Sequence, residues 1–202
     1  MIIGLCGFIG SGKNTVADYL IQEHKFKQES FASSLKDVVA SAFHWDRKKL
    51  EGITEEDRAW RESVDTWWAD RLNMPTLTPR WVLQYWGTDV VRQNFHNDMW
   101  IYSLQKKIAN SDDNFVISDC RFPNEIESIK DLGGKIVWVY RNLPWWYTDA
   151  KEALKGNLHS QKILENHNIH KSEYMWLDTE FDMIINNTKD LDHLNKQIEL
   201  VF

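Results

Sequence analysis

The sequence holds only two cysteines, Cys6 and Cys120. Both stand in or beside apolar runs and read as buried free thiols, and two are too few for a disulfide framework. No apolar stretch approaches the roughly 18 residues that a membrane-spanning helix needs. No charged leader with a small-residue cleavage site opens the chain, and Met1-Ile2-Ile3 runs directly into an apolar segment. These absences predict a soluble protein in a reducing, cytoplasmic setting, with no membrane partner. Basic charge is also scarce, since 24 Lys and Arg against 30 Asp and Glu leave a formal net charge of -6. Gripping nucleic acid takes clustered cations that displace counterions, so no stable nucleic-acid partner is expected. A small anionic substrate stays open, because a few local cations outweigh a weak overall field. No internal repeat or low-complexity linker divides the 202 residues, which favours one domain. None of the histidines has a convincing metal-ligand spacing.

Tryptophan, by contrast, is abundant, with 11 in the chain. Most cluster from Trp45 to Trp100, and Trp145-Trp146 form a further pair. Burial in a core or an interface is the ordinary use of Trp. Clusters in polar surroundings also make stacking surfaces for a base, or a dimer contact within residues 60–100.

The apolar run Ile2-Ile3-Gly4-Leu5-Cys6 predicts a strand buried on both faces. A helix is expected from Lys13, with Val16, Tyr19 and Leu20 at helical spacing. Ser34-Leu35-Lys36-Asp37 has the pattern of a capping box, followed by Val38, Val39 and Ala42. Residues 45–78 are charged and Trp-rich without clean periodicity. Thr78-Pro79 starts a helix that should end near Gly87, and another is expected over 98–109. Further strands are read at Phe115–Ser118, Lys135–Tyr140 and Phe181–Ile185. Helices are read at Pro123–Leu132, stopped by Gly133-Gly134, and along Leu191, Leu194, Ile198 and Val201. Alternating strands and helices predict an α/β fold with a mainly parallel sheet of about five strands. Such sheets bind ligands at the carboxyl ends of their strands, where Gly7, Asp119, Arg141 and Asn186 all fall.

Gly7-Phe8-Ile9-Gly10-Ser11-Gly12-Lys13-Asn14-Thr15 carries the Gly-x4-Gly-Lys spacing of a phosphate-binding P-loop between strand and helix. Gly7, Gly10, Ser11, Gly12 and Asn14 would aim backbone N–H groups at the phosphates of ATP. The helix N-terminus adds partial positive charge there. Lys13 would bridge the β- and γ-phosphates and follow the charge as the phosphoryl group moves. Asn14 stands where Ser or Thr is usual, so Thr15 is the better hydroxyl for Mg²⁺ or the α/β-phosphates. Asp119, ending an apolar strand, would hold Mg²⁺ through water or accept a hydrogen bond from Thr15, or else cap the next helix. Arg121 and Arg141 follow strand ends, and planar guanidinium groups suit a phosphoryl transition state. Residues 142–172 contain Lys151, Lys155, His159, Lys162, His170 and Lys171. They read as a lid that excludes water, or as a solvated helical excursion.

Taken together, these motifs resemble those of bacteriophage deoxynucleoside monophosphate kinases, within the P-loop nucleoside monophosphate kinase class. The matching pieces are Gly7–Thr15, Phe31–Asp37, Arg80–Arg92, Trp100, Asp119–Glu125, Gly133-Gly134 and His170-Lys171-Ser172-Glu173. They span nearly the whole chain, in order, although 45–78 matches nothing recognisable. The resemblance implies a single P-loop NTPase domain over 1–202, with an acceptor-binding helical region over about 33–105. It implies transfer of the ATP γ-phosphate to a deoxynucleoside 5′-monophosphate (dNMP), with Lys13, Arg121 and Arg141 catalytic. Lys36, Arg80 and Arg92 are then candidates for the acceptor phosphate, and Gln84, Thr88 and Asp89 for its base or sugar. Arg80 and Gln84, four apart, share a helix face. A host-cell cytoplasm and supply of deoxynucleoside triphosphates would go with such a kinase. The alternatives are a small-metabolite kinase acting on phosphomevalonate or dephospho-coenzyme A, and a non-catalytic nucleotide-binding module. A switch GTPase is disfavoured, since Asn187-Thr188-Lys189-Asp190 only superficially resembles a base-reading motif.

Overall fold

A five-residue strand with no polar side chain on either face is stable only where both faces are covered. Ile2–Cys6 meets that condition at the centre of the sheet. The structure, a computed structural model, describes residues 1–109 and 111–201. In chain order these form β1 (Ile2–Cys6), α1 (Lys13–His24), β2 (Lys27–Glu29), α2 (Ser33–Phe43), α3 (Glu55–Glu62), α4 (Thr66–Leu72) and α5 (Pro79–Gln84). A π-helix (Tyr85–Gln93) continues α5, followed by α6 (Met99–Ile108), β3 (Phe115–Ile117), α7 (Pro123–Asp131) and β4 (Lys135–Tyr140). Then come α8 (Tyr147–Leu154), α9 (Leu158–Asn166), β5 (Met183–Asn186) and α10 (Leu191–Glu199). Contacts divide the chain into two compact units, one of Met1–Ser30 with Ser111–Phe202 and one of Phe31–Asn110. Among the described residues, no helix is long and apolar enough to cross a membrane.

The first unit holds the sheet, ordered β2-β3-β1-β4-β5 with every pairing parallel. Ile3 pairs with Val116 on one side and Lys135 on the other, which brings the ends of β1, β3 and β4 to one edge. Ile3, Leu5, Val116, Val137, Val139 and Ile185 form the core with Val16, Leu20, Leu194 and Ile198 from α1 and α10. β2 is a strand that no periodicity announces. Lys27-Gln28-Glu29 is a three-residue polar edge, held because it pairs with Phe115–Ile117.

The second unit packs helices around Leu35, Val39, Phe43, Trp45, Leu50 and Val82. Phe43 stacks on Trp45 at 4.5 Å and also meets Trp68 and Trp86 at 4.9 and 5.5 Å. Trp45 Nε1 donates to Asp65 Oδ2 and Trp68 Nε1 to the Phe43 carbonyl, so these two indole donors are satisfied. Most of the tryptophan cluster is therefore core. Three features differ from the sequence reading here. Residues 45–78, irregular in pattern, contain α3 and α4, each started by a side-chain cap from Thr54 or Asp65. Ser34 does not cap a helix, because α2 already begins at Ser33 and the Ser34 hydroxyl lies 2.6 Å from that of Ser103. Nor does the helix from Pro79 end near Gly87: it runs on to Gln93 with a π pitch. A Cβ on Gly87 would sit 2.8 Å from Leu35 Cδ2, so this glycine serves close packing rather than termination.

Candidate active site

The loop from Gly7 to Gly12 leaves the carboxyl end of β1 and delivers the chain into α1. Gly12 is the helix cap with φ 97°, a left-handed conformation that favours glycine. No side chain caps this helix and no acid lies in its first turn, so its positive end is not neutralised from within. The first intrahelical bond runs from Val16 N to Gly12 O, so the amides of the first turn have no partner within the helix and suit an anion, whereas the Ser11 amide is turned inward and donates to the Phe8 carbonyl at 3.1 Å. Ser11 is buried, and its hydroxyl has no hydrogen-bond partner. Such an orphan donor suits a polar guest.

Lys13 folds back over the loop, its Nζ donating to the carbonyls of Gly7 (2.7 Å) and Phe8 (3.0 Å). Burial, and then the charge of Arg121, lower its pKa to about 8, with Glu173 working in the opposite direction. At neutral pH the ammonium form still leads by roughly tenfold. Lys13, Arg121 and Glu173 thus share one electrostatic neighbourhood, formed within the first unit.

Two further contacts fix the loop. Phe8 is buried edge-on against Trp146 (5.3 Å) and Trp176 (4.9 Å), residues that flank α8 and the end of the expected lid. That lid segment, read as one possible helix, holds two, α8 and α9. Asn187, just beyond β5, donates its side-chain N–H to the Ser11 carbonyl at 2.9 Å. A Cβ on Gly12 would lie 2.3 Å from that same nitrogen, so loop and brace fit only because residue 12 is glycine.

Asp119 follows β3 and is half-buried, while Thr15 and Asn14 are exposed in the first turn of α1. No cluster of three potential metal-ligating side chains occurs among the described residues. Thr15, in the first turn of α1, and Asp119, beyond β3, carry the kind of oxygen ligand that Mg²⁺ takes alongside waters and substrate phosphates. Arg141 is exposed beyond β4. Arg121 Nη1 donates to Glu173 Oε1 at 2.7 Å.

The acceptor candidates all lie in the second unit. Lys36 Nζ meets Glu51 Oε2 at 2.5 Å, and Arg47 bonds both Glu51 and Asp37. Burial pushes the Glu51 carboxyl up, but hydrogen bonds from Lys36 and Arg47 outweigh it and hold the pKa below the usual range. Lys36 would have to exchange Glu51 for a phosphate. Arg80, exposed on α5, pairs with Glu62 at 2.9 Å, and Gln84 is exposed on the same helix. Thr88, Asp89 and Arg92 are half-buried on the π-helix. A π turn carries i→i+5 hydrogen bonds and often marks a functional segment. Trp81, stacked on Tyr85 at 4.9 Å, stays exposed, as does Trp67 beneath the Arg71 guanidinium.

Comparison with known proteins decides the family. The model of the family described as deoxynucleotide monophosphate kinase matches residues 59–198. A protein of Acanthamoeba polyphaga mimivirus, assigned as a deoxynucleotide monophosphate kinase, is 31% identical over 212 residues, covering 98% of this chain and 94% of its own. The chain belongs to the deoxynucleotide monophosphate kinase family.

A second member, the deoxynucleoside-5′-monophosphate kinase of Escherichia phage T5, is 43% identical over 56 residues, 27% of this chain and 22% of that one. Among solved structures, dephospho-CoA kinase from Campylobacter jejuni is 15% identical with a TM-score of 0.46, covering 99% of this kinase and 94% of that chain. Shikimate kinase from Aquifex aeolicus is 14% identical with a TM-score of 0.46, at 99% and 95% coverage. Likenesses this loose do not bear on substrate. The family match takes in Arg80, Gln84, Thr88, Asp89, Arg92, Asp119, Arg121 and Arg141, whereas the phosphate loop lies outside its span. Two residues of this kinase escaped the sequence reading of roles. Asn187 and Glu173 each reach the site by a single side-chain contact, and their only signals were a position beyond a strand end and a place in a shared motif.

Proposed function

We propose that this kinase transfers the γ-phosphate of ATP to a deoxynucleoside 5′-monophosphate, giving ADP and the diphosphate. Membership of the family, joined to a phosphate loop whose lysine and a neighbouring arginine share one electrostatic neighbourhood, carries the reading. The loop amides and the positive end of α1 bind the donor tail. Lys13 leaves its two carbonyl partners for the β- and γ-phosphates, while Arg121 and Arg141 stabilise charge on the transferring group. Mg²⁺ held through Thr15 and Asp119 would neutralise phosphate oxygens. The acceptor phosphate is already an anion and attacks in line, so the chain needs no dedicated base. Residues 33–105 would bind the acceptor through Lys36, Arg80 and Arg92 at its phosphate and Gln84, Thr88 and Asp89 at base or sugar. Residues 142–172 would close over the donor and limit hydrolysis.

The test is ADP release with ATP and Mg²⁺ across the four common dNMPs, phosphomevalonate and dephospho-coenzyme A. Turnover with at least one dNMP, and with neither metabolite, is expected. Turnover with a metabolite and no dNMP would overturn the assignment.

A further inference from the structure

Arg121 is fixed at both ends of its side chain. At the backbone, the amides of Arg121 and Phe122 both donate to Glu125 Oε2, at 2.9 and 3.1 Å, and Glu125 is buried. At the guanidinium, Nη1 donates to Glu173 Oε1 at 2.7 Å and lies 3.5 Å from Ser172 Oγ. Ser172 is in turn held by His170, whose Nδ1 is 2.8 Å from the hydroxyl and accepts the Ser172 amide at 3.2 Å. Glu173 is itself anchored, because its carbonyl accepts from Trp176 Nε1 at 2.9 Å and Trp176 packs on Phe8 of the phosphate loop.

The side chains of Arg121 and Glu173 are 45% and 24% exposed, so the pair contributes little to folding stability. What it does is geometric. Contact through Nη1 alone leaves Nε and Nη2 available to a phosphate, while the long side chain has already lost its freedom. Preorganised donors stabilise a transition state better than donors that must be recruited.

We propose that Glu173 is a positioning residue for phosphoryl transfer, its carboxylate holding the Arg121 guanidinium by one nitrogen so that the remaining donors are pre-set for the transferring group. Glu173 itself does not touch the substrate. This inference rests on the role given to Arg121 in the proposed reaction.

The test is a double-mutant cycle of Glu173→Ala and Arg121→Ala, with Glu173→Gln alongside. Glu173→Ala should lower kcat roughly tenfold while the dissociation constant for ATP changes by less than about threefold. Glu173→Gln, which keeps an acceptor oxygen but loses the charge, should fall between it and wild type. In the Arg121→Ala background, Glu173→Ala should have no further effect. An equal loss in both backgrounds, or an unchanged kcat, would overturn the proposal, because a merely structural residue acts regardless of residue 121. If Glu173→Ala does not fold, as judged by circular dichroism, Glu173→Gln carries the cycle with the same criterion. Should the wild type phosphorylate no dNMP, the reaction assignment alone falls. The cycle is then read on ATP hydrolysis, where coupling of the two residues upholds the positioning role and additivity ends it.

Discussion

The two units present anion-binding residues in opposite ways. In the sheet-bearing unit the phosphate site is made of backbone, with amides at a helix start, a lysine lying on carbonyls and a glycine that admits a bracing asparagine. In the helical unit the candidate ligands are side chains already engaged by carboxylates, Lys36 with Glu51 and Arg80 with Glu62. A backbone site is set by where glycines and a helix start fall. A side-chain site depends on which partner each cation takes, and on the turn geometry that presents it.

The largest effect that sharpens this contrast should come from Gly12→Ala. The added methyl would meet Asn187 and must adopt φ 97°, so kcat/KM for ATP should fall about 100-fold while the fold is retained. A loss below threefold would remove the claim that the loop and its brace are mutually fitted. Asn187→Ala should lower ATP affinity by about tenfold, as loss of one loop-bracing hydrogen bond costs about 1–1.5 kcal/mol. Titration calorimetry measures it directly.

The pH dependence of ATP binding has a defined sign. Bound phosphates raise the Lys13 pKa above its free value of about 8, so binding above that pH takes up a proton. Affinity should be flat from pH 7 to 7.5 and then fall by up to about tenfold per unit above pH 8. Lys13 contributes to stability with the opposite sign. Its folded pKa lies below the ordinary 10.5, so its contribution to folding rises with pH between about 8 and 10.5. An affinity that stays constant to pH 9.5 would contradict a Lys13–phosphate contact.

Two substitutions in the helical unit should leave ATP affinity alone and so test the division itself. Gly87→Ala forces its methyl against Leu35 and should cost about 1–3 kcal/mol of stability, seen as a lower unfolding midpoint, with a raised KM for dNMP. Arg80→Ala removes an exposed ion pair and should change stability by less than about 1 kcal/mol. Its KM for dNMP should rise severalfold at unchanged ATP affinity. If either variant weakens ATP binding as much as Asn187→Ala does, the two regions do not act separately.

The contrast also explains what the sequence could reveal. β1, β4 and α1 were legible because apolar runs, glycine spacing and a helix start all agree at residues 2–13 and 135–140. β2 was not, because a polar edge strand owes its state to pairing with β3 rather than to its own pattern. Gly87 misled because the same residue type stops helices and relieves close contacts, and only the distance to Leu35 separates the two uses. Asn187 and Glu173 lie far in sequence from the atoms they hold, so chain spacing carried no sign of either contact.

The central claim is that the loop at Gly7–Thr15, through Lys13, presents the ATP γ-phosphate for transfer to a dNMP. Single-turnover transfer of labelled γ-phosphate, compared between wild type and Lys13→Met, tests it most directly. The account predicts label in a deoxynucleoside diphosphate with wild type, and a rate at least about 100-fold slower for the folded variant. Equal rates for the two proteins, or no labelled diphosphate from wild type with any dNMP, would contradict it.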